Sequence, residues 1–202
     1  MISDPTAYNV MEFRGDNHIP KWAKEFKFIR NQEKLSETFD VKLPIVKALS
    51  PIENCSTSGL ILFGPLGVGK TTAVCCCMEY LMSRGRHVFR VSLGQACSGL
   101  MDEDLGVKMM EELSMSDLLV IDPVDINWYG NFKALGVLGA ILDARADEQR
   151  MTVGLIDAIS EDQVGEHGMF VISKVMSHRP NTVARIDQSD GAKFVDLLEN
   201  EL

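Results

Sequence analysis

Nowhere does the chain carry 18 or more consecutive apolar residues, the length a helix needs to cross a bilayer, so no membrane span and no membrane partner are expected. Its first residues, Met1-Ile2-Ser3-Asp4-Pro5, lack the basic start and apolar stretch of a secretory leader. These absences predict a cytoplasmic protein. Metal-ligand spacing is missing too, with no Cys-x-x-Cys and no His-x-x-x-His. Of the five cysteines (Cys55, Cys75, Cys76, Cys77 and Cys97), three are consecutive on a stretch of helical spacing, where neighbours diverge and cannot share one tetrahedral centre. They read as small core thiols in a reducing compartment. Positive charge is scarce as well: 20 Lys and Arg face 29 Asp and Glu, a net charge of −9. A surface gripping nucleic acid over its whole extent needs clustered Lys and Arg, so that class is excluded. A local basic patch, a channel formed on assembly, or docking onto a basic protein stays open. There is no internal repeat and no low-complexity tract.

The 202 residues suffice for one ordinary domain plus a short extra segment, and 46% hydrophobic with 24% charged residues is a globular composition. Residues 1–57 are polar and mixed. Within them Pro20 to about Leu35 has helical spacing, with Trp22, Phe26 and Ile29 on one face and Lys21, Lys24 and Lys27 beside it. Arg30 and Lys34 add to the basic side. From residue 58 to 202 strand and helix alternate. Leu60–Phe63, His87–Leu93, Leu118–Ile121, Met151–Ile156 and Thr182–Ile186 read as strands. Helices are expected from Thr71 to Gly85, around Glu103–Met115, from Phe132 to Glu148, around Glu161–Ser177, and over Gly191–Asn200. This order predicts an α/β fold, a P-loop NTPase with a five-stranded parallel sheet between helices.

The chemistry concentrates in Gly64-Pro65-Leu66-Gly67-Val68-Gly69-Lys70-Thr71, a Gly-x-x-x-x-Gly-Lys-Thr sequence directly after an apolar strand and before a helix. Glycines let backbone N–H groups turn inward around a phosphate, and the helix N-terminus adds partial positive charge. Lys70 would reach the outer phosphates, Thr71 would offer its hydroxyl to Mg2+, and Thr72 extends the binding stretch. Asp122, ending the apolar run Leu118-Leu119-Val120-Ile121, is the expected second metal-side residue. No Asn-Lys-x-Asp or Thr-Lys-x-Asp guanine reader occurs, which favours ATP over GTP. No paired-arginine lid lies between the later strands, which weighs against a small-molecule kinase without removing it as an alternative.

With these residues the chain resembles the AAA+ ATPases of the DnaC-like helicase loaders and their relatives, the IstB transposition helpers. The resemblance rests on Gly59-Leu60-Ile61-Leu62-Phe63-Gly64-Pro65, on Ser83-Arg84-Gly85-Arg86-His87-Val88, and above all on Ser116-Asp117-Leu118-Leu119-Val120-Ile121-Asp122. It runs loosely from about Phe26 to Ile186. It implies an AAA+ fold, ATP and Mg2+ as ligands, ATP-driven homo-oligomerisation, and a hexameric replicative helicase as partner, with single-stranded DNA a second candidate. The short chain suits a phage-encoded relative. Departures from the family pattern bear on hydrolysis. Pro123 stands where the family places the Glu that polarises water; Asp125, two residues on, is a substitute candidate. Asp157 and Ser160 stand near the position that faces the γ-phosphate, where Asn, Thr or Ser is usual. Arg179 lies where the family places its arginine finger, with Lys174 in support. The binding apparatus is thus intact and the hydrolytic one altered, which implies slow or partner-dependent turnover. A nucleotide-gated adaptor without significant turnover is the alternative.

Overall fold

Leu60-Ile61-Leu62-Phe63 offers water no polar side chain, so it belongs inside a sheet covered on both faces. A computed structural model of the protein describes Ile52 and residues 58–125, 130–177 and 180–187, and places that segment at the centre of the sheet. The helices expected over Pro20–Leu35 and Gly191–Asn200 lie outside the described residues.

The element order is β1 (Gly59–Phe63), α1 (Lys70–Ser83), β2 (Val88–Val91), α2 (Leu93–Met101), α3 (Gly106–Met115), β3 (Leu118–Ile121), α4 (Phe132–Asp147), β4 (Met151–Ile156), α5 (Glu166–Ser177) and β5 (Asn181–Arg185). The strands run parallel in the order β2-β3-β4-β1-β5. β1, β3 and β4 are buried along their whole length, whereas β5, at an edge, is half-exposed. Alternate side chains build two cores. Leu60, Leu62, Val88, Val120 and Val153 pack with Val74, Met78 and Leu81 of α1. Ile61, Phe63, Phe89, Leu119 and Ile121 pack with apolar residues of α2, α3, α4 and α5 on the opposite face.

Two helices differ from the sequence expectation. Leu93, assigned to the end of a strand, begins α2 instead. Ser92 caps it: the Ser92 hydroxyl accepts from the Gln95 N–H at 3.2 Å, and the Gln95 side chain accepts from the Ser92 N–H at 3.1 Å. The stretch Glu161–Ser177 is not one helix, because a single 3₁₀ turn at Glu161–Gln163 precedes α5.

One polar residue is built into the packing. Arg145 of α4 is 1% exposed, and its guanidinium donates to the carbonyls of Leu113, Ser116 and Met151 at 3.0, 2.8 and 2.6 Å and to the Thr152 hydroxyl at 3.0 Å. It thereby holds the carboxyl end of α3 and the start of β4 together. Burial pushes its pKa down to about 9, with Arg150 contributing in the same direction, so it stays protonated at neutral pH.

Among the described cysteines, Cys75 and Cys97 are buried and Cys77 is half-buried, and burial pushes the Cys97 thiol up to about 12. Cys97 is therefore an unreactive core thiol. No helix among the described residues is long and apolar enough to cross a membrane.

Candidate functional site

β1 and β4 are neighbours, yet α1 after β1 covers one face of the sheet and α5 after β4 covers the other. At such a switch point the carboxyl ends of the strands part and leave a crevice. The loop Gly64–Gly69 leaves β1 at this point. The Gly64 N–H donates to the Ile156 carbonyl at 3.2 Å, and the Ile186 N–H donates to the Phe63 carbonyl at 2.8 Å, tying the loop's root to both flanking strands. A Cβ on Gly64 would stand 2.6 Å from the Ile186 carbonyl oxygen, so no larger residue fits without moving the end of β5. Gly67 and Gly69 take φ values of 86° and 87°, the left-handed region open to glycine. Gly69 is also the N-cap of α1 and brings no side chain to cap it. The first N–H groups of α1 are therefore left for an anion rather than a capping side chain. Val68 is buried and anchors the loop, while Leu66 at its tip is exposed.

Lys70 closes the loop. Although charged, it is only 4% exposed, and its ammonium donates to the carbonyls of Gly64 at 2.7 Å and Pro65 at 2.9 Å. Its third contact is the Asp157 carboxylate at 2.8 Å, reaching over from the end of β4. Thr71 is half-buried in the first turn of α1; Thr72 lies beside it, its side chain outside the described ones.

Asp122 follows β3, and its N–H donates to the Val91 carbonyl at 2.9 Å, extending the ladder by one residue. Its carboxylate, nearly buried, is paired: Nε and Nη2 of Arg90 on β2 both approach Oδ2 at 2.8 Å. Sequence reasoning missed Arg90. The available signal was a charged side chain inside the otherwise apolar strand Val88-Phe89-Arg90-Val91.

The peptide between Asp122 and Pro123 is cis. The Pro123 carbonyl accepts from the Leu93 N–H at 3.1 Å, and the Val124 N–H donates to the Leu155 carbonyl at 2.8 Å. Asp125 is exposed just beyond. Ser160 bonds Asp162 at 3.2 Å and does not join the Lys70–Asp157 pair. Lys174 is ion-paired to Asp143 of α4, 5.6 Å from the Phe170 ring centroid. Arg179 lies outside the described residues. The structure thus brings together the loop, Lys70 and Asp157 at one end of the sheet, with Asp122 just past β3, the strand beyond β4, and its partner Arg90 within the edge strand β2.

No protein-family profile matches the chain, and no curated protein does either. Solved structures do match. Domain III of the Thermotoga maritima replication initiation protein DnaA superposes with a TM-score of 0.62 at 16% identity, over 82% of this chain and 72% of that one. The chain has the fold of the AAA+ P-loop ATPase domains. A DnaC helicase loader matches with a TM-score of 0.52 at 19% identity, over 88% of this chain and 98% of the loader. AMPPCP-bound DnaA from Aquifex aeolicus matches at 0.59 and 14% identity over 78% of this chain. Of that DnaA the match spans only 49%, about half its length. The AAA+ fold read from the motifs and the likeness to helicase loaders are therefore both found among solved structures.

Proposed function

We propose that this chain binds ATP with Mg2+ through Gly64–Thr71 and serves as a AAA+ accessory protein in DNA replication, of the helicase-loader kind. The observation that carries the reading is the loop itself. Left-handed glycines, an uncapped helix start and a buried Lys70 meet at the switch point of the sheet. A triphosphate bound there would take N–H groups from α1 and replace Asp157 on Lys70. The described residues contain no group of three His, Cys, Asp or Glu side chains able to cage a metal. That suits Mg2+, which is held by one or two protein oxygens, water and the nucleotide's own phosphates. Thr71 would hold it, joined by Asp122 where Arg90 releases that carboxylate, and the ion would neutralise charge between the outer phosphates.

Hydrolysis is slow or partner-dependent in this reading. Pro123 has no acidic side chain with which to polarise water, Asp125 is the substitute candidate, and Asp157 is engaged with Lys70. Pro123→Glu is therefore expected to raise turnover, because general-base assistance contributes about 10²–10⁴-fold. Turnover of several per second by the isolated wild type, as an order of magnitude within the usual enzyme range, would contradict this account and point to Asp125 or Asp157 as the base. Head-to-tail oligomerisation on ATP through Arg179 belongs to the same proposal, as do residues 1–57 as a separate partner-binding segment and a hexameric helicase as the partner. Light scattering with and without ATP tests the assembly. A second reading, a nucleotide-gated adaptor with negligible turnover, is favoured by Pro123. It predicts that helicase and DNA leave turnover at background while ATP still governs partner capture.

A further inference from the structure

Arg90 is out of place by the standards of its strand. Val88, Phe89 and Val91 are buried and apolar, and an aliphatic residue at position 90 would continue the strand without bringing a charge into it. Arg90 is aligned with Val120 on β3, two residues before Asp122, and side-chain alternation sets Arg90 and Asp122 on the face that α1 covers. α1 is the helix that begins with Lys70 and Thr71. The guanidinium therefore lies on the phosphate side of the sheet, with Nε and Nη2 both 2.8 Å from the same oxygen of Asp122.

The pair is part-buried, with Asp122 8% and Arg90 24% exposed, and a desolvated ion pair is stabilising only when geometry compensates, so the needs of the sheet alone do not explain one here. What the pair does is neutralise the one carboxylate that the nucleotide reading assigns to the metal side. Mg2+ approaching Asp122 meets a positive charge already seated there, and like charges at short range repel.

We infer that Arg90 is the resident counter-cation of Asp122 and sets the metal requirement of the site, making nucleotide binding only weakly dependent on divalent cation. This inference rests on the nucleotide-binding reading above. Lys70 and the N–H groups of α1 then hold the phosphates in either condition, and Asp122 contributes to metal affinity only when Arg90 lets go.

The test is equilibrium binding of a fluorescent ATP analogue to the full chain, in Mg2+ and in EDTA, for wild type and Arg90→Gln. The wild-type ratio of the two affinities is expected below about fivefold, because the metal gains little from a neutralised carboxylate. In Arg90→Gln the ratio should grow by about tenfold, as Asp122 is freed to support the ion. A wild-type ratio well above about fivefold overturns the inference whatever the variant does. An unchanged ratio in folded Arg90→Gln also overturns it and leaves Arg90 as a tie between β2 and β3, a role that would show only as a lower melting temperature. Where the variant fails to fold, the wild-type ratio decides. If wild type binds no analogue in either condition, the nucleotide reading itself fails, and this inference with it.

Discussion

Replacing Arg145 with methionine tests whether this side chain ties α3 to β4. Methionine fills much of the same volume but donates nothing, so the carbonyls of Leu113, Ser116 and Met151 and the Thr152 hydroxyl lose a donor. With Arg145 1% exposed, and Ser116 and Thr152 fully buried, water cannot readily replace it. Each buried acceptor left unmatched costs about 1–3 kcal/mol. The loss is partly offset, because the variant no longer buries a charge. The net expectation is roughly 3–5 kcal/mol, several unmatched acceptors less the relief of no longer burying a charge. Set against a total stability of about 5–15 kcal/mol, this is a large share. For a chain of this size it corresponds to a fall in melting temperature of roughly 6–20 °C. Arg145→Lys keeps a charge but loses the planar fork, so it should fall between wild type and Arg145→Met. Urea titration followed by circular dichroism measures all three. A methionine variant within about 1 kcal/mol of wild type would refute the reasoning, since that is the worth of a single ordinary hydrogen bond.

Lys70→Ala should abolish ATP-analogue binding and lower stability by about 1–2 kcal/mol, since the loop carbonyls of Gly64 and Pro65 lose their donor. Micromolar-range affinity in the folded variant would sink the assignment of the loop. Gly64→Ala should weaken binding and cost about 1–3 kcal/mol as the Ile186 carbonyl, 2.6 Å from the new Cβ, is pushed away; an unaltered melting curve would contradict the packing of loop against β5. Charge reversal of Lys21, Lys24 and Lys27 together should reduce helicase pull-down while ATP binding survives. Loss of single-stranded DNA with helicase capture intact would instead make that segment a nucleic-acid contact, and loss of ATP would make it part of the nucleotide pocket.

Much of the fold was legible because its signals are local. The run Leu118–Ile121 is apolar throughout and Met151–Ile156 is apolar but for Thr152, and both form strands over the residues expected. The phosphate-type loop is eight contiguous residues whose context, strand before and helix after, is visible in one dimension. α2 escaped notice because Leu93 looks like the end of an apolar strand. Its start is marked only by Ser92 and Gln95, whose reciprocal hydrogen bonds outweigh the β propensity of the residues before them. The polar partnerships of the site were not legible, because they join residues remote in sequence. Lys70 meets Asp157, and Arg90 meets Asp122, only once β1, β2, β3 and β4 are ordered in the sheet. Lys70 is buried because its ammonium turns back onto the Gly64 and Pro65 carbonyls and onto Asp157.

Those two ion pairs have a kinetic consequence. Lys70 and Arg90 are each matched by a carboxylate within 2.8 Å, so together the four groups present almost no monopole to an ion approaching from solvent. The whole chain carries a net charge of −9. An anionic ligand is therefore mildly repelled at range, and favourable terms begin only at contact, with the open N–H groups of α1 and then with Lys70 once Asp157 is displaced. Its association rate should be well below the diffusion limit and should rise with added salt, as the negative envelope is screened over a Debye length of about 8–10 Å.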